Sequence, residues 1–388
     1  MRVLITSPVF PPDLGGPAIY VPSLARWLVE RGHEVKVVAF CSDPAPAGHP
    51  FPVVSIPPAR LPLRYFRALL AVRREARAFD VVYVNEHLAF LHVLGARLAG
   101  KPVVIRIMVD GAWEIAHRYG WCGGDDIVTF QGREYSWKVK LTRTLQKRWW
   151  RASRHVIACS EFLRQILIRT YGVPPGKVEL VHNAYHGPPP ERVQQTPREA
   201  RAALALPEDR RYLLTICRLM VWKRVDAIIE SLARLPDDVD LLVAGDGDRL
   251  EAWKVLAERL GLAARVRFLG NVPHERIPLL IRASEIFVLN SEYEGLSHTL
   301  IEVQTLGTPI VASNVCGNPE VVEHGETGFL VDPRDPQQLV EALAKLLADP
   351  ALRERFRAAG LRHALRFRRD ATFPKVEAAL QRAASAAG

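Results

Sequence analysis

Residues 285–312 read EIFVLNSEYEGLSHTLIEVQTLGTPIVA, and this pattern predicts a strand, a loop and a helix in direct succession. The apolar run ends near Asn290, a loop with Glu294 follows, and a helix begins at about Ser297 and stops at Gly307. Short apolar strands that lead into helices are typical of parallel sheets in α/β proteins. The segment therefore predicts an α/β fold.

The same alternation runs through both halves of the chain. In the first half the strand-like runs are Val3–Thr6, Val35–Ala39, Val81–Val84, Val103–Ile107, His155–Ala158 and Val178–Val181, with helical patterns near 17–31, 63–79, 88–99, 134–152 and 161–171. In the second half they are Tyr212–Cys217, Asp240–Ala244, Arg265–Leu269, Glu285–Leu289, Pro309–Ala312 and Gly328–Val331. This order predicts two doubly wound parallel sheets.

A proline-rich stretch separates the two halves. We expect one Rossmann-like domain over residues 1–186, a linker over 187–198 and a second Rossmann-like domain over 199–370. Residues 371–388 are expected to form a C-terminal helix, and packing back on the first domain is one arrangement open to it.

Charge divides unevenly along the chain. Residues 1–185 hold 25 Lys and Arg against 14 Asp and Glu, a net of +11, and the remainder holds 27 against 28, which together give the +10 of the whole chain. Such asymmetry suggests an anionic partner for the first half, namely a membrane surface, a phosphorylated acceptor or a nucleic acid.

Cysteine spacing and hydropathy point to the compartment. The five cysteines are scattered without a C-x-x-C pair, which argues against a disulfide framework and a zinc ribbon. No apolar run approaches the roughly 18 residues that a membrane span needs, and the N-terminus does not resemble a signal peptide. We expect a cytoplasmic protein.

The helix after Glu294 has the chemistry of an anion site. Its N-terminal N–H groups and dipole would let the backbone of Leu296, Ser297, His298 and Thr299 hold a diphosphate. Carboxylates only accept hydrogen bonds, so Glu294 and Glu302 suit sugar hydroxyls rather than phosphate; this division fits a nucleotide sugar.

A helix cap and a glycosidase pair are the alternatives for these two carboxylates. Thr299-x-x-Glu302 also matches a capping box, which would be purely structural. A glycosidase pair fits poorly, because eight helical positions span about 12 Å and such pairs lie about 5 to 9.5 Å apart.

Glu294 and Glu302 form an E-x7-E pattern, and the neighbouring Gly307, Gly317 and Pro319-Glu320 complete a resemblance to retaining glycosyltransferases of family 4. Further matches follow in family order: Cys217-Arg218-Leu219 with Lys223, Gly245-Asp246-Gly247, Phe268 to Val272, and the Pro11 to Gly16 loop. The resemblance spans nearly the whole chain. It implies the GT-B fold, with two Rossmann-like domains facing across a cleft.

The resemblance also implies roles for individual residues. Glu294 would contact the donor sugar and Glu302 the ribose, while Arg218 and Lys223 would neutralise the departing diphosphate. Val272 would line the base. An isolated Arg or Lys is more often a solvated surface charge, so the five-residue spacing after a strand carries the argument.

Three weaker candidates lie in the first half. Gly15 and Gly16 precede a helix and would let the backbone approach the donor phosphate. In a stretch where many relatives carry a His, Asp110 is a candidate for contact with the donor sugar or acceptor. Trp113 and Glu114 are candidates for the acceptor side, although Trp113 could equally close the core.

Two basic runs suggest where an acceptor is held. One, over 133–154, interleaves Lys and Arg with Trp137, Trp149 and Trp150; the other runs from Arg60 to Arg77. Both are compatible with an anionic membrane surface at the inner face of the cell membrane, and equally with ordinary surface helices. No nucleic-acid-binding module accompanies the charge, so we expect no nucleic acid.

The predicted activity is therefore that of a retaining, metal-independent hexosyltransferase. It would move a sugar from a UDP-sugar or GDP-sugar to a glycan or lipid-linked acceptor in polysaccharide or glycolipid biosynthesis, forming an α-glycosidic bond. We expect no cofactor and no metal, since Asp246-x-Asp248 is better interpreted as a turn. Alternatives are a sugar-nucleotide epimerase and a catalytically silent sugar-nucleotide-binding protein. An NAD-dependent oxidoreductase is disfavoured, because residues 7–16 lack the G-x-G-x-x-G spacing.

Overall fold

The structure is a computed structural model, and it describes residues 1–13, 15–85 and 90–385. The chain divides into two compact units. The first contains Met1–His186 together with the residues from Arg369 onward, and the second contains Gly187–Arg368. The start of the helix expected near residue 88 and the last three residues of the expected final helix lie outside the described residues.

The first unit is built on a seven-stranded sheet. Its strands are β1 (Arg2–Ser7), β2 (Glu34–Phe40), β3 (Val53–Ile56), β4 (Val81–Val84), β5 (Val103–Ile107), β6 (His155–Ala158) and β7 (Val178–Leu180). They pair in parallel in the order β3-β2-β1-β4-β5-β6-β7. The order changes direction between β1 and β4, and ligands of open α/β sheets bind at such a switch point.

Helices cover this sheet. They are α1 (Gly16–Glu30), α2 (Leu61–Ala76), α3 (Phe90–Leu98), α4 (Gly111–Arg118), α5 (Ile127–Gly132), α6 (Trp137–Ala152) and α7 (Glu161–Gln165), which continues as a π-helical turn over Ile166–Thr170. Strands β4 and β5 are buried along their whole length. Burial on both faces explains their continuous apolar sequence.

The second unit repeats the plan with six strands. They are β8 (Arg211–Ile216), β9 (Val239–Ala244), β10 (Val266–Gly270), β11 (Ile286–Leu289), β12 (Ile310–Ser313) and β13 (Gly328–Val331). All pairings are parallel, in the order β10-β9-β8-β11-β12-β13. The switch point of this sheet lies between β8 and β11.

Seven helices accompany the second sheet in the described part of the unit: α8 (Pro197–Ala203), α9 (Val225–Leu232), α10 (Leu250–Arg259), α11 (Ile277–Ala283), α12 (His298–Leu306), α13 (Pro336–Ala348) and α14 (Pro350–His363). Thr196 and Glu199 form a capping box at the start of α8. Between His186 and Thr196 the backbone makes only a 3₁₀ turn over Pro190–Arg192.

The last helix, α15 (Arg369–Ser385), belongs to the first unit. Its Phe373, Val376 and Leu380 are buried in the same apolar cluster as residues of α1 and β1. Glu377 of α15 also pairs with Arg31 at 3.0 Å. The chain thus returns to its first sheet after completing the second.

The α/β class with two parallel sheets is confirmed, and the strands predicted in the second half correspond to β8–β13. In the first half the prediction missed β3, a short strand at the sheet edge, and the helices α4 and α5. These elements are too short for periodicity to reveal them. No helix among the described residues is long and apolar enough to span a membrane.

Candidate functional site

The predicted donor-binding residues of the second unit follow the two strands at its switch point. Arg218 and Lys223 come after β8, the latter in a 3₁₀ turn over Val221–Lys223. Glu294 lies in the loop between β11 and α12. Because parallel strands end at one edge of a sheet, this topology brings residues 71 positions apart into contact.

Two glycines allow the loop with Arg218 to pack closely on the next loop of the sheet. A Cβ on Gly245 would lie 1.9 Å from the carbonyl oxygen of Cys217, and one on Gly247 would lie 2.4 Å from that of Leu219. The N–H of Leu219 donates to the carbonyl of Asp246 at 2.9 Å. The backbone on both sides of Arg218 is thus held while its side chain is exposed.

Lys223 and Glu294 form the central charged contact. Lys223 Nζ donates to Glu294 Oε1 at 2.6 Å, and both side chains are largely buried, at 16% and 13% exposed. Ser291 Oγ donates to the same Oε1 at 2.8 Å. The second carboxylate oxygen of Glu294 accepts no hydrogen bond from the residues that the structure describes, so it is available to a ligand's hydroxyl group.

The loop with Glu294 is itself fixed by backbone contacts. The N–H of Gly317 donates to the carbonyl of Glu294 at 3.1 Å, and a Cβ on Gly317 would lie 2.2 Å from the carbonyl oxygen of Gly295. On the other side, the N–H of Glu292 donates to the carbonyl of Trp222 at 2.7 Å. Such support keeps the carboxylate in one position, as a binding site requires.

Helix α12 begins where the sequence predicted. Ser297 is its N-cap and accepts the N–H of Leu300 at 3.2 Å, so His298 and Thr299 are the first two helical residues. The N–H groups of these two positions have no intrahelical acceptor. Leu296 and Ser297 are buried. The capping box considered for Thr299 and Glu302 is wrong, because Ser297 is the cap.

Glu302 lies one turn further along α12, and one of its oxygens has no hydrogen-bond donor among the described residues. Oε1 is buried and accepts no hydrogen bond among the described residues. His274 Nε2 lies 3.7 Å from it, too far for a hydrogen bond. Burial raises the pKa of Glu302 to about 7 and lowers the pKa of His274. Both shifts favour the neutral forms, so at neutral pH the two groups are only partly charged.

Val272 follows β10 and is half-buried. His274, two positions further along the chain, lies 3.7 Å from Glu302 Oε1, so the loop after β10 approaches α12. The expected contact between Val272 and the base stays a prediction.

In the first unit, Gly15 and Gly16 are at the N-terminus of α1, next to the switch point between β1 and β4. Gly15 is the N-cap, no side chain caps the helix, and its first turn contains no acidic residue. Both glycines are exposed. A Cβ on Gly15 would lie 3.2 Å from the side chain of Val9, so the position favours glycine. In this first turn Pro17 has no N–H and the N–H of Ala18 donates to the carbonyl of Gly15 at 3.0 Å, so the exposed Gly16 is the position whose N–H can meet an anion without a competing negative charge.

Asp110 is fully buried after β5, where it caps α4 by accepting from the N–H groups of Ala112 and Trp113. Three side chains donate to its carboxylate as well: Gln131 and Gln146 at 2.8 Å each and Tyr171 at 2.9 Å. A carboxylate offers about four acceptor positions, so this one is fully used. Burial and then the charge of Asp110 raise the pKa of Tyr171 well above its usual value, which keeps it a donor. This geometry favours a structural role, and the expected sugar contact stays a prediction.

Trp113 and Glu114 belong to the first turn of α4. Trp113 is buried, and its indole N–H donates to the carbonyl of Asp125 at 3.0 Å. Glu114 is half-buried. The burial of Trp113 favours the core-closing alternative over acceptor contact.

Two neighbours of the predicted site residues were not predicted from the sequence. His274 is 28 positions from Glu302 in a 3₁₀ turn, and nothing in the sequence links them. Arg224, which donates to Glu292 at 3.0 Å and adopts a left-handed backbone with φ of 49°, was also missed. Its one signal was its position as a basic residue next to Lys223. No group of three or more His, Cys, Asp or Glu placed to hold a metal ion occurs in the described ranges.

Comparison with known proteins defines the class. A family model described as "Glycosyl transferases group 1" matches residues 197–363, and one described as "Glycosyltransferase Family 4" matches residues 14–186. With two parallel-sheet Rossmann-like units, these matches define a glycosyltransferase of the GT-B fold.

Individual relatives agree. A D-inositol 3-phosphate glycosyltransferase of Mycobacterium tuberculosis is 30% identical over 420 residues, covering 97% of this chain and 82% of the relative. An uncharacterized glycosyltransferase of Methanocaldococcus jannaschii is 24% identical over 377 residues, covering 91% of both. The chain belongs to glycosyltransferase family 4.

Solved structures share the fold. Sucrose-phosphate synthase from Thermosynechococcus elongatus superimposes with a TM-score of 0.81 at 22% identity, covering all of both chains. Anabaena Alr3699/HepE, crystallised with UDP and glucose, superimposes with a TM-score of 0.78 at 21% identity over 98% of this chain and 99% of that one.

Proposed function

We propose that this glycosyltransferase moves a hexose from a nucleoside-diphosphate sugar, UDP or GDP, to a glycan or lipid-linked acceptor with retention of the anomeric configuration. The observation that carries the proposal is the Lys223–Glu294 contact at the switch point of the second sheet, next to an exposed Arg218. Alr3699/HepE, which shares the fold, was crystallised with UDP and with UDP-glucose, and this supports UDP as a donor nucleotide.

Acidic and basic side chains would bind different parts of the donor. The free oxygen of Glu294 would accept from sugar hydroxyls, and the unpartnered Oε1 of Glu302 would accept from the ribose. Arg218 would bind the diphosphate directly, since no carboxylate in the described chain neutralises it. Lys223 is paired with Glu294, so it would contribute a smaller share of the positive charge.

Backbone groups would complete the phosphate and base contacts. The first turn of α12, with Leu296 and Ser297 leading into His298 and Thr299, offers N–H groups to the diphosphate. Gly15 and Gly16 of the first unit offer the same at α1. Val272 after β10 would contact the base. None of these contacts requires a metal ion, so we propose metal-independent transfer in which fixed cations stabilise the leaving diphosphate.

The proposed chemical step breaks the bond from the anomeric carbon to the diphosphate oxygen. The acceptor hydroxyl oxygen forms the new bond on the same face, and its proton passes to the departing phosphate, giving an α-linked product from an α-linked donor. Glu294, held at Oε1 by Lys223 and Ser291, would orient the sugar and would not form a covalent intermediate. Asp110 is left out of this step because its acceptor positions are already occupied.

The experiment that tests the donor class is a thermal-shift screen with UDP, GDP and ADP sugars, followed by a transfer assay with the sugars that bind. We expect a rise in the unfolding midpoint with at least one UDP or GDP sugar, and none from NAD. Transfer to an acceptor with an α linkage, determined by NMR of the product, supports the proposal. A free epimerised nucleotide sugar, or binding without turnover, would support the alternative functions.

A membrane-associated acceptor is supported by the surface of α2. Leu63, Phe66 and Leu70 are 47%, 55% and 46% exposed, at a spacing that places them on one side of the helix. Basic side chains flank this stripe, beginning at Arg60 and ending at Arg77. Apolar residues beside basic ones are typical of helices that lie on anionic lipid. We therefore propose a peripheral position on the cytoplasmic face of a membrane, with α2 as the contact.

The second basic helix, α6, supports this less. Trp137 is 70% exposed, but Trp150 is buried in the first unit. The tryptophans of α6 are thus divided between surface and core.

A further inference from the structure

A cavity of about 410 Å³ opens at the edge of the first sheet where its strands begin. Pro102, Arg154 and Lys177, which line it, immediately precede β5, β6 and β7. Because all strands of the sheet are parallel, this edge is opposite the one at which Gly15 and Asp110 lie. Strand β5 alone spans roughly 16 Å between the two edges. The cavity is therefore separate from the residues of the first unit that were candidates for the donor site.

The lining is strongly basic. Its charged side chains are Arg97, Lys101, Arg154 and Lys177, and no Asp or Glu is among the lining residues. None of the four pairs with a carboxylate in the described part of the chain. The size is within the roughly 300–1,000 Å³ of small-molecule sites. Four cations without a counter-charge raise the local potential and so favour an anion.

Part of this charge has a role inside the unit. Arg97 Nη1 donates to the carbonyl of Ala152 at 3.1 Å, and Lys177 Nζ donates to the carbonyls of Arg151 and Ser153 at 3.2 and 3.4 Å. These contacts satisfy carbonyls at the C-terminal end of α6, where cations are favoured. They also hold both side chains in place, and each keeps further N–H donors.

Lys101 and Arg154 have no such role. Neither side chain forms a hydrogen bond or an ion pair with any described residue, and both face the cavity. The acidic Glu179 of β7 is paired with Arg382. Burial lowers the pKa of His155, followed by the charge of Arg382; Glu179 raises this pKa, and Arg154 and Lys177 lower it. Arg154 and Lys177 thus act as positive charges on a neighbouring side chain as well as on the cavity.

We propose that this cavity binds a phosphorylated small molecule, with Arg97 and Lys177 as the pre-positioned donors and Lys101 and Arg154 as the cations that close on the phosphate. Guanidinium and ammonium groups give phosphate its strongest charge-assisted hydrogen bonds. A soluble phosphate ester and the phosphate of a lipid headgroup share this chemistry, and the test separates them.

The test measures binding of inorganic pyrophosphate by isothermal titration calorimetry at physiological ionic strength in a phosphate-free buffer. The test variant is Lys101→Glu with Arg154→Glu. The matched control is Arg355→Glu with Arg362→Glu, two exposed arginines of α14 without ion pairs to described residues, which changes the net charge equally. We expect the test variant to lose roughly 100-fold in affinity and the control to stay within about twofold of wild type.

Arg218→Ala distinguishes this site from the proposed donor site. Pyrophosphate binding that persists in Arg218→Ala and disappears in the Lys101/Arg154 variant supports the inference, whether or not the donor assignment holds. Binding that disappears in Arg218→Ala and persists in the Lys101/Arg154 variant overturns it.

A second arm identifies the source of the phosphate. Co-sedimentation is measured with vesicles of phosphatidylcholine alone and with added phosphatidic acid. If wild type binds the acidic vesicles but not pyrophosphate, and only the Lys101/Arg154 variant loses this binding, the cavity takes the phosphate of a lipid headgroup. If wild type binds neither probe, or both double variants behave alike, the proposal is wrong. Circular dichroism melts confirm that all variants fold.

Discussion

Asp110 in the first unit and Glu302 in the second are both carboxylates shielded from water in an α/β unit, yet their partners differ. Asp110 accepts hydrogen bonds from two backbone N–H groups, two glutamines and a tyrosine. Glu302 has a buried oxygen without a donor among the described residues and a pKa raised by burial to about 7. A saturated carboxylate stabilises its unit, whereas an unsaturated one costs stability, which is common at binding sites.

The same difference applies to the cations of the two units. Arg106 in the first sheet is fully buried, donates to Asn183 Oδ1 at 2.8 Å and lies over the ring of Tyr20 at 4.8 Å. Arg218 in the second unit is exposed and forms no side-chain hydrogen bond or ion pair with described residues. Arg218 is therefore open to a ligand, whereas Arg106 and Asp110 are enclosed in the first unit, even though Arg106 Nε and Nη1 have no acceptor among the described residues. This contrast supports the proposal that the second unit supplies most of the donor contacts.

The largest expected effect follows from Glu294→Gln, which keeps the shape of the side chain and removes its charge. The proposed sugar contact and the pairing with Lys223 both weaken, so we expect transfer to fall by about 10²- to 10³-fold. Initial rates of transfer measure this. The matched control is Glu292→Gln, a neighbouring glutamate that pairs with Arg224, and it should keep most of the activity. Equal losses in both variants would contradict the assignment of Glu294.

Asp110→Ala tests whether the fully hydrogen-bonded carboxylate of the first unit is needed for stability. It leaves Gln131, Gln146 and Tyr171 with buried, unsatisfied groups, so we expect the free energy of unfolding to fall by about 3 kcal/mol or more. Denaturant titration measures the loss. Asp126→Ala removes the N-cap of α5, an ordinary cap, and should cost only about 1 kcal/mol.

The transfer rate per folded molecule decides the role of Asp110. We expect it to stay within a fewfold of wild type. A stable Asp110→Ala variant without transfer would instead show that Asp110 contacts the substrate, as the sequence suggested.

The contrast between the two carboxylates also marks what the sequence could and could not predict. The parallel sheets followed from continuous apolar strands, and the family resemblance grouped Arg218, Lys223 and Glu294 in one expected donor site. The structure shows that Lys223 and Glu294 are in contact. The state of Asp110 could not be predicted, because its donors Gln146 and Tyr171 come from elements 36 and 61 positions away. Local sequence identifies a titratable group, but only tertiary packing shows whether its hydrogen bonds are already made.

Glu302 gives a smaller effect with a defined pH dependence. The ionised carboxylate accepts the stronger, charge-assisted hydrogen bonds from ribose hydroxyls, and the pKa of Glu302 is about 7. We expect donor affinity to fall roughly tenfold between pH 8 and pH 6, and to be nearly independent of pH in Glu302→Gln. Calorimetry with an intact nucleotide sugar measures this, because it lacks the phosphate ionisation of a free nucleotide. His274→Asn controls for the imidazole, which gains charge at the acidic end.

At pH 8, Glu302→Gln should weaken donor binding but increase the stability of the folded protein. The folded-state pKa of about 7 is above the ordinary value of 4.5, so this carboxyl's contribution to stability is present below pH 4.5 and lost as the pH rises through 7. Removing the charge should therefore raise the free energy of unfolding at pH 8, by up to about 3 kcal/mol. Weaker binding without this gain would indicate that Glu302 is already solvated in the free protein.

The smallest expected effect concerns α2 of the first unit, where apolar side chains are exposed to solvent. Replacing Leu63, Phe66 and Leu70 by Ser removes the apolar stripe of α2 and leaves its arginines in place. If α2 contacts lipid, binding to vesicles that contain phosphatidylglycerol should fall several-fold, while transfer to a soluble acceptor is unchanged. The matched control replaces Val128, Val255 and Leu365 by Ser, which are exposed to similar extents outside α2. If both variants bind vesicles as wild type does, the basic charge alone accounts for any attraction, and α2 is an ordinary surface helix.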